Sequence, residues 1–157
     1  MTLAQQILEG AVAKGLTVTA AESCTGGMVS AAITDIAGSS AIFERGFVTY
    51  SNRAKQDMLG VRAETLAAVG AVSEEVVREM AEGARAAAGA DIAVAISGIA
   101  GPGGSEFKPE GRVCFALATA RLTQAETVEY GAPGRAEVRQ RARDHALSLI
   151  LEAIRAA

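Results

Sequence analysis

Three observations predict an α/β fold for this chain of 157 residues, a three-layer α/β/α sandwich around a mixed, mostly parallel sheet. Short runs rich in β-branched residues alternate with segments of helical periodicity over the first two-thirds of the sequence. The segment 91–97, in which Ile92, Val94 and Ile96 are separated by alanines, has the apolar character of a central strand covered on both faces. Two further strand-like runs with a short connection come late in the chain and read as a hairpin.

Each element has its own local reason. Thr2 and Gln5 form a capping pair for a first helix that carries Leu3, Ile7, Leu8 and Val12 and closes at Gly15. A strand is predicted at 16–21, then a helix over 26–37 that stops at Gly38. The segment 42–50 alternates less regularly, but Phe43, Phe47, Val48 and Tyr50 favour a second strand. A short helix at 53–59 carries Lys55 near its start, and another at 63–69 ends at Gly70. Ser73 is the predicted N-cap of a helix at 74–88, with Val72 and Val77 at the two staple positions and Gly89 as the stop. Strands at 91–97, 111–120 and 125–130 precede a last helix over 135–156 that buries Val138, Ala142, Leu149, Ile150 and Ile154. No repeat, low-complexity tract or linker interrupts the sequence, so 1–157 reads as one domain.

Half of the residues are apolar, yet there are four Phe, two Tyr and no Trp, so the core is expected to consist of Ala, Val, Ile and Leu. A net charge of -3 argues against a nucleic-acid partner. Cys24 and Cys114 form no CxxC pattern and suggest reduced thiols in a cytoplasmic setting. No run is long and apolar enough to span a bilayer, so no membrane partner is expected.

The stretch 18–28 organises the functional reading. An extended run passes abruptly into Glu22, Ser23, Cys24 and Thr25, then Gly26 and Gly27, then a helical pattern from Met28. At such a strand-to-helix junction, free backbone N–H groups favour anions and developing negative charge. A serine there either faces a pocket or, with Thr25, caps the helix, and on this stretch alone capping is the commoner arrangement. The loops 22–27, 50–55 and 97–104 follow strand ends, and in a sheet with parallel leading strands they gather at one edge. They would bring together a serine hydroxyl, a phenol, a lysine and a glycine-rich turn. An enclosed lysine can take the proton of a serine hydroxyl, and backbone N–H groups can hold the resulting oxyanion, which points to acyl transfer or amide hydrolysis. A lysine near a helix start is more often simply solvated. The segment 98–104 either cradles a phosphate or is only a turn, and it matches neither the Walker pattern nor GxGxxG. Arg135, Arg139 and Arg143 form one stripe on the last helix. At that helix's amino end an arginine gains nothing from the dipole, so Arg135 and Arg139 are candidates for gripping an anion. His145 and Cys24 read as structural, and no residue set has metal-site spacing.

Several motifs in one order then carry a resemblance. The segments 21–27, 48–52 with Lys55, 70–73, 97–104 and 108–111 together resemble the CinA C-terminal domain family over nearly the whole chain. The resemblance implies three α/β/α layers with one strand antiparallel to the rest, and a nicotinamide-nucleotide amidase that converts nicotinamide mononucleotide to nicotinate mononucleotide and ammonia without a cofactor or metal. It implies Ser23 as nucleophile, Lys55 and Tyr50 as managers of its proton, and Glu22, Thr25 and Asn52 in the same pocket. Gly26, Gly27, Ser97, Gly101, Gly103 and Arg135 complete the expected substrate site, with Arg139 on the nucleotide phosphate. Ser97 stands where the family often has threonine, and Glu110 where it more often has an apolar residue. The segment 105–107, with Glu106 at its centre, is a further departure. Longer CinA proteins carry an additional molybdopterin-binding-like domain, whose pyrophosphatase activity is not expected of this chain. The resemblance also implies a homo-oligomer. A nucleotide-binding module without hydrolysis, and an amidase for another small amide, are the rival readings.

Overall fold

A computed structural model describes residues 1–105 and 107–157. Its elements are α1 (Leu3–Lys14), β1 (Val18–Glu22), α2 (Met28–Thr34), a 3-10 turn (Ser39–Ala41), β2 (Phe47–Val48), α3 (Asn52–Leu59), α4 (Ala63–Val69), α5 (Glu74–Ala88), β3 (Ile92–Gly98), β4 (Arg112–Ala118), β5 (Thr123–Glu129) and α6 (Arg135–Ala156). The strands lie in the order β2-β1-β3-β4-β5. β1 pairs in parallel with β2 and β3, whereas β4 is antiparallel to both of its neighbours. Four strands therefore share one direction and β4 opposes them, which gives the mixed sheet.

The period-2 alternation of β3 separates large residues from small ones. Ile92, Val94 and Ile96 lie on the face of Val18, Ala20, Val113 and Phe115, packed with Ile7 of α1, Ile33 of α2 and Ile150 and Ile154 of α6. Burying one such side chain stabilises the fold by about 1.5–3 kcal/mol. Ala93 and Ala95 lie on the opposite face with Ala21, Cys114, Ala116 and Ala118, under Val76, Val77, Met80 and Ala84 of α5. α3 and α5 meet closely on this side: a Cβ on Gly83 would fall 1.9 Å from the Leu59 carbonyl oxygen.

The helix ends follow their caps. Thr2 Oγ1 accepts from Gln5 N at 3.2 Å while Thr2 N donates to Gln5 Oε1 at 2.8 Å. Ser73 Oγ accepts from Val76 N at 3.2 Å, and Val72 and Val77 are both buried. Two predicted elements are shorter than the sequence suggests. The strand expected at 42–50 is only Phe47–Val48, because the chain first turns through Ser39–Ala41 and Phe43 makes an isolated bridge to Val18. Gly46 is wedged there, with Ser30 Oγ 2.6 Å and the Phe43 ring 3.0 Å from where its Cβ would be. The helix expected at 26–37 begins at Met28, since Gly26 and Gly27 have φ of 57° and 108°.

β1, β2 and β3 point their carboxyl ends to one edge, where the loops after them collect. Among the described residues no helix is long and apolar enough to cross a membrane.

Candidate active site

The end of β1 is fixed from both sides. Ser23 N donates to Ile96 O of β3 at 3.0 Å, and Thr49 N donates to Glu22 O at 2.8 Å. Alternation then sends the two consecutive side chains apart: Glu22 takes the face of Ala20 and Ser23 that of Ala21. Glu22 is 0% exposed. Its Oε1 accepts from Gly27 N (3.2 Å) and Val29 N (2.9 Å), and its Oε2 from Ser30 N (3.0 Å) and Ser30 Oγ (2.8 Å). The start of α2 is thus capped by a carboxylate from the preceding strand, and neither Ser23 nor Thr25 caps it. The N–H groups expected to await an external anion already hold an internal one, placed where the helix dipole favours it.

On the other face lies a cleft of ≈ 350 Å³. Lys55 reaches into it from α3, whose N-cap Ser51 accepts from Ala54 N at 3.0 Å. Lys55 is 2% exposed. Its Nζ lies 3.2 Å from Ser23 Oγ and donates to Thr49 O at 3.0 Å. Ser97, 1% exposed, lies in the wall at the end of β3. The loop 98–105 forms the opposite side, with φ of 93° at Gly101 and 79° at Gly103, values that favour glycine. Two side chains from beyond this loop brace it. Gly103 N donates to Glu110 Oε1 at 2.6 Å, and Lys108 Nζ donates to the carbonyls of Val69 and Val72 at 2.5 Å each. Arg135 spans the mouth, donating from Nη1 to Gly101 O (2.9 Å) and from Nη2 to the Tyr50 hydroxyl (2.7 Å). Arg139, one turn later on α6, donates from Nε to Cys24 O (2.9 Å) and from Nη2 to Thr25 O (3.4 Å).

The expected site residues therefore divide. Ser23, Tyr50, Asn52, Lys55, Ser97, Gly101, Gly103 and Arg135 line one cleft. Glu22, Thr25, Gly26, Gly27 and Arg139 lie behind the turn, outside that lining. Thr25 is fully buried, and its Oγ1 has no hydrogen-bond partner among the described residues. Tyr50, 61% exposed, gives its hydroxyl to Arg135. Cys24 also touches the cleft, but burial pushes its thiol up to about 11, outweighing the nearby Arg139 and Lys55. His145 packs its ring edge on Phe115 at 4.5 Å and pairs with Glu126, outside the cleft lining. Arg143 pairs with Asp144 at 2.9 Å. Glu106 lies outside the described residues. Sequence reasoning assigned no brace to Lys108 or Glu110; the glycines bent beside them were the available signal. Among the described residues no group of three or more His, Cys, Asp or Glu is placed to hold a metal ion.

The arrangement can ionise a hydroxyl beside an amine and present it to a small electrophile. Known proteins of this shape narrow the class. A profile of the CinA C-terminal domain matches residues 1–154. Nicotinamide-nucleotide amidohydrolase PncC of Escherichia coli K12 is 60% identical over 151 residues, 96% of this chain and 92% of that protein. The crystal structure of the competence/damage inducible protein CihA from Agrobacterium tumefaciens superposes with a TM-score of 0.93 at 47% identity, covering 98% of this chain and 93% of that one. A CinA superfamily protein from Klebsiella pneumoniae 700603 gives a TM-score of 0.94 at 39% identity, covering 99% and 97%. Sequence and architecture agree, and the chain belongs to the CinA C-terminal domain family.

Proposed function

We propose that this protein is a nicotinamide-nucleotide amidohydrolase that cleaves the carboxamide of nicotinamide mononucleotide through a serine acyl-enzyme. The observation that carries the mechanism is the enclosed Lys55 Nζ lying 3.2 Å from Ser23 Oγ at the floor of a cleft. The substrate comes from the 60% identical relative, which bears that activity in its name.

Lys55 in its neutral form accepts the Ser23 proton as Oγ bonds to the carboxamide carbon. The permanent positive charge of the pyridinium ring, brought beside this amine by the substrate, favours its neutral form. Collapse of the tetrahedral intermediate breaks the C–N bond, and the proton held on Lys55 leaves with ammonia. Water then adds to the ester, its proton passing to Lys55, and as the C–Oγ bond breaks that proton returns to Ser23 Oγ, giving nicotinate mononucleotide and restoring neutral Lys55. Arg135 is the cation at the cleft mouth suited to the phosphate. Tyr50, bonded to Arg135, orders that guanidinium, and its phenol serves the mouth of the site before the proton at Ser23.

Ammonia release from nicotinamide mononucleotide by the purified protein tests this reading. Turnover that survives a chelator and disappears in Ser23→Ala is expected. Binding without turnover would leave a nucleotide-binding module, turnover of only other small amides would change the substrate, and an active Ser23→Ala would remove the acyl-enzyme.

A further inference from the structure

α6 brings two arginines to the site one helical turn apart, and their partners differ. Arg135 bonds across the cleft mouth, to Gly101 O and the Tyr50 hydroxyl. Arg139 lies against the back of the turn that follows Ser23. Its Nε donates to Cys24 O at 2.9 Å and its Nη2 to Thr25 O at 3.4 Å. The same Nη2 would stand 3.2 Å from a Cβ on Gly26, whose φ is 57°. The guanidinium therefore crosses the turn where the turn has no side chain.

In a trans peptide the N–H points opposite to the C=O. Holding the carbonyls of Cys24 and Thr25 on one side consequently sets the directions of the Thr25 and Gly26 N–H groups. Gly26 N returns to Ser23 O at 3.0 Å and closes the turn. That bond ties the peptide planes held by Arg139 to Ser23 itself, while Thr25, fully buried, stays outside the cleft lining. Charge-assisted bonds from a planar fork suit this task, since one rigid group fixes two successive peptide planes.

We propose that Arg139 is a positioning residue for the nucleophile turn, orienting Ser23 for acyl transfer, and that it is not the ligand of the substrate phosphate. The proposal rests on the serine-amidase reading above. An arginine committed to two carbonyls behind the turn lies outside the cleft lining, whereas Arg135 lies within it.

The experiment measures Arg139→Met and Arg139→Lys on nicotinamide mononucleotide and on nicotinamide riboside, which lacks the phosphate. A misplaced nucleophile predicts a kcat loss of about 100-fold on both substrates, with KM for the mononucleotide changed less than about 3-fold. Arg139→Lys, which retains a donor, is expected to recover part of kcat, and thermal melting shows whether each variant is folded. Arg135→Ala is expected to raise KM for the mononucleotide more than KM for the riboside. A loss in Arg139→Met confined to the mononucleotide makes Arg139 a phosphate ligand and overturns the proposal, as does unchanged kcat on both. Labelling of Ser23 by a neutral fluorophosphonate, read by mass, needs no amide substrate and so separates this proposal from the amidase reading. Labelling that slows about 10-fold in folded Arg139→Met supports the positioning role even if the parent releases no ammonia. Equal labelling rates, or no labelling of the parent, overturn it.

Discussion

Glu22 and Ser23 are neighbours in sequence, yet they open onto two regions with opposite character. On the α2 side a buried carboxylate meets four donors, and every contact goes to the turn and helix that follow it. On the cleft side an equally buried amine, that of Lys55, meets a carbonyl and a hydroxyl that can react. Both groups are ionisable residues taken from water, so burial alone does not distinguish support from chemistry. What distinguishes them is the partner: the donors to Glu22 lie inside the turn and helix, whereas the Ser23 hydroxyl faces a cleft.

Four substitutions or reactions sharpen that contrast, beginning with the largest effect. Lys55→Met keeps the stem and removes the base, and kcat for amide hydrolysis should fall about 10³-fold with KM little changed. A rise in KM with kcat preserved would make Lys55 a substrate contact. Glu22→Gln places an amide N–H against donors that now meet carboxylate oxygens, and should lower unfolding stability in urea by about 3 kcal/mol. Stability equal to the parent would show that the α2 amides find water instead. The third expectation concerns Cys24. With its thiol pushed up to about 11 by burial, thiolate is about one part in 10³ at pH 8, so alkylation by iodoacetamide should be slow in the folded protein. The rate should climb as pH approaches 11 and be far higher after unfolding; rapid labelling at pH 8 would contradict an inert Cys24. The smallest effect belongs to Ser30→Ala, which removes one of the four bonds to Glu22 and should cost about 1 kcal/mol with catalysis intact.

Much of this architecture was legible because local chemistry and tertiary demand coincide. The Thr2–Gln5 box, the Ser73 cap and the glycine stops at Gly15, Gly70 and Gly89 are short-range devices, and each bounds its helix where the residues indicate. The alternation of Ile and Ala along β3 likewise announced a strand covered on both faces. The cleft was legible in outline, since loops after parallel strands must meet at one edge. The parts that were not legible depend on groups distant in sequence. Glu22 reads as a pocket residue until the α2 amides are seen around it. The capping question at Ser23 and Thr25 has an answer that involves neither. Arg139 looks like an anion ligand in a basic stripe, and only its approach to Cys24 O and Thr25 O, 115 and 114 residues away, shows another occupation. β2 was overestimated because aromatic content signals a strand, while the wedge at Gly46 is a three-dimensional constraint.

The bond from Ser23 N to Ile96 O has a consequence for how the two walls of the cleft share motion. It extends the ladder of the central strands through the nucleophile itself, so the serine backbone moves with the most cooperative part of the sheet, and its amide should exchange with solvent among the slowest. The facing wall is a glycine-rich loop outside the ladder, held at Ile99 and Ser105 by backbone bonds and at Gly101 and Gly103 by the side chains of Arg135 and Glu110, and it is expected to open at lower free energy than the sheet. Accommodation of different substrates, and the departure of product, therefore belong to the loop wall. Additions to the ring or sugar that press on the loop should be tolerated by local give, while the carbonyl beside Ser23 must come to a surface that does not adjust.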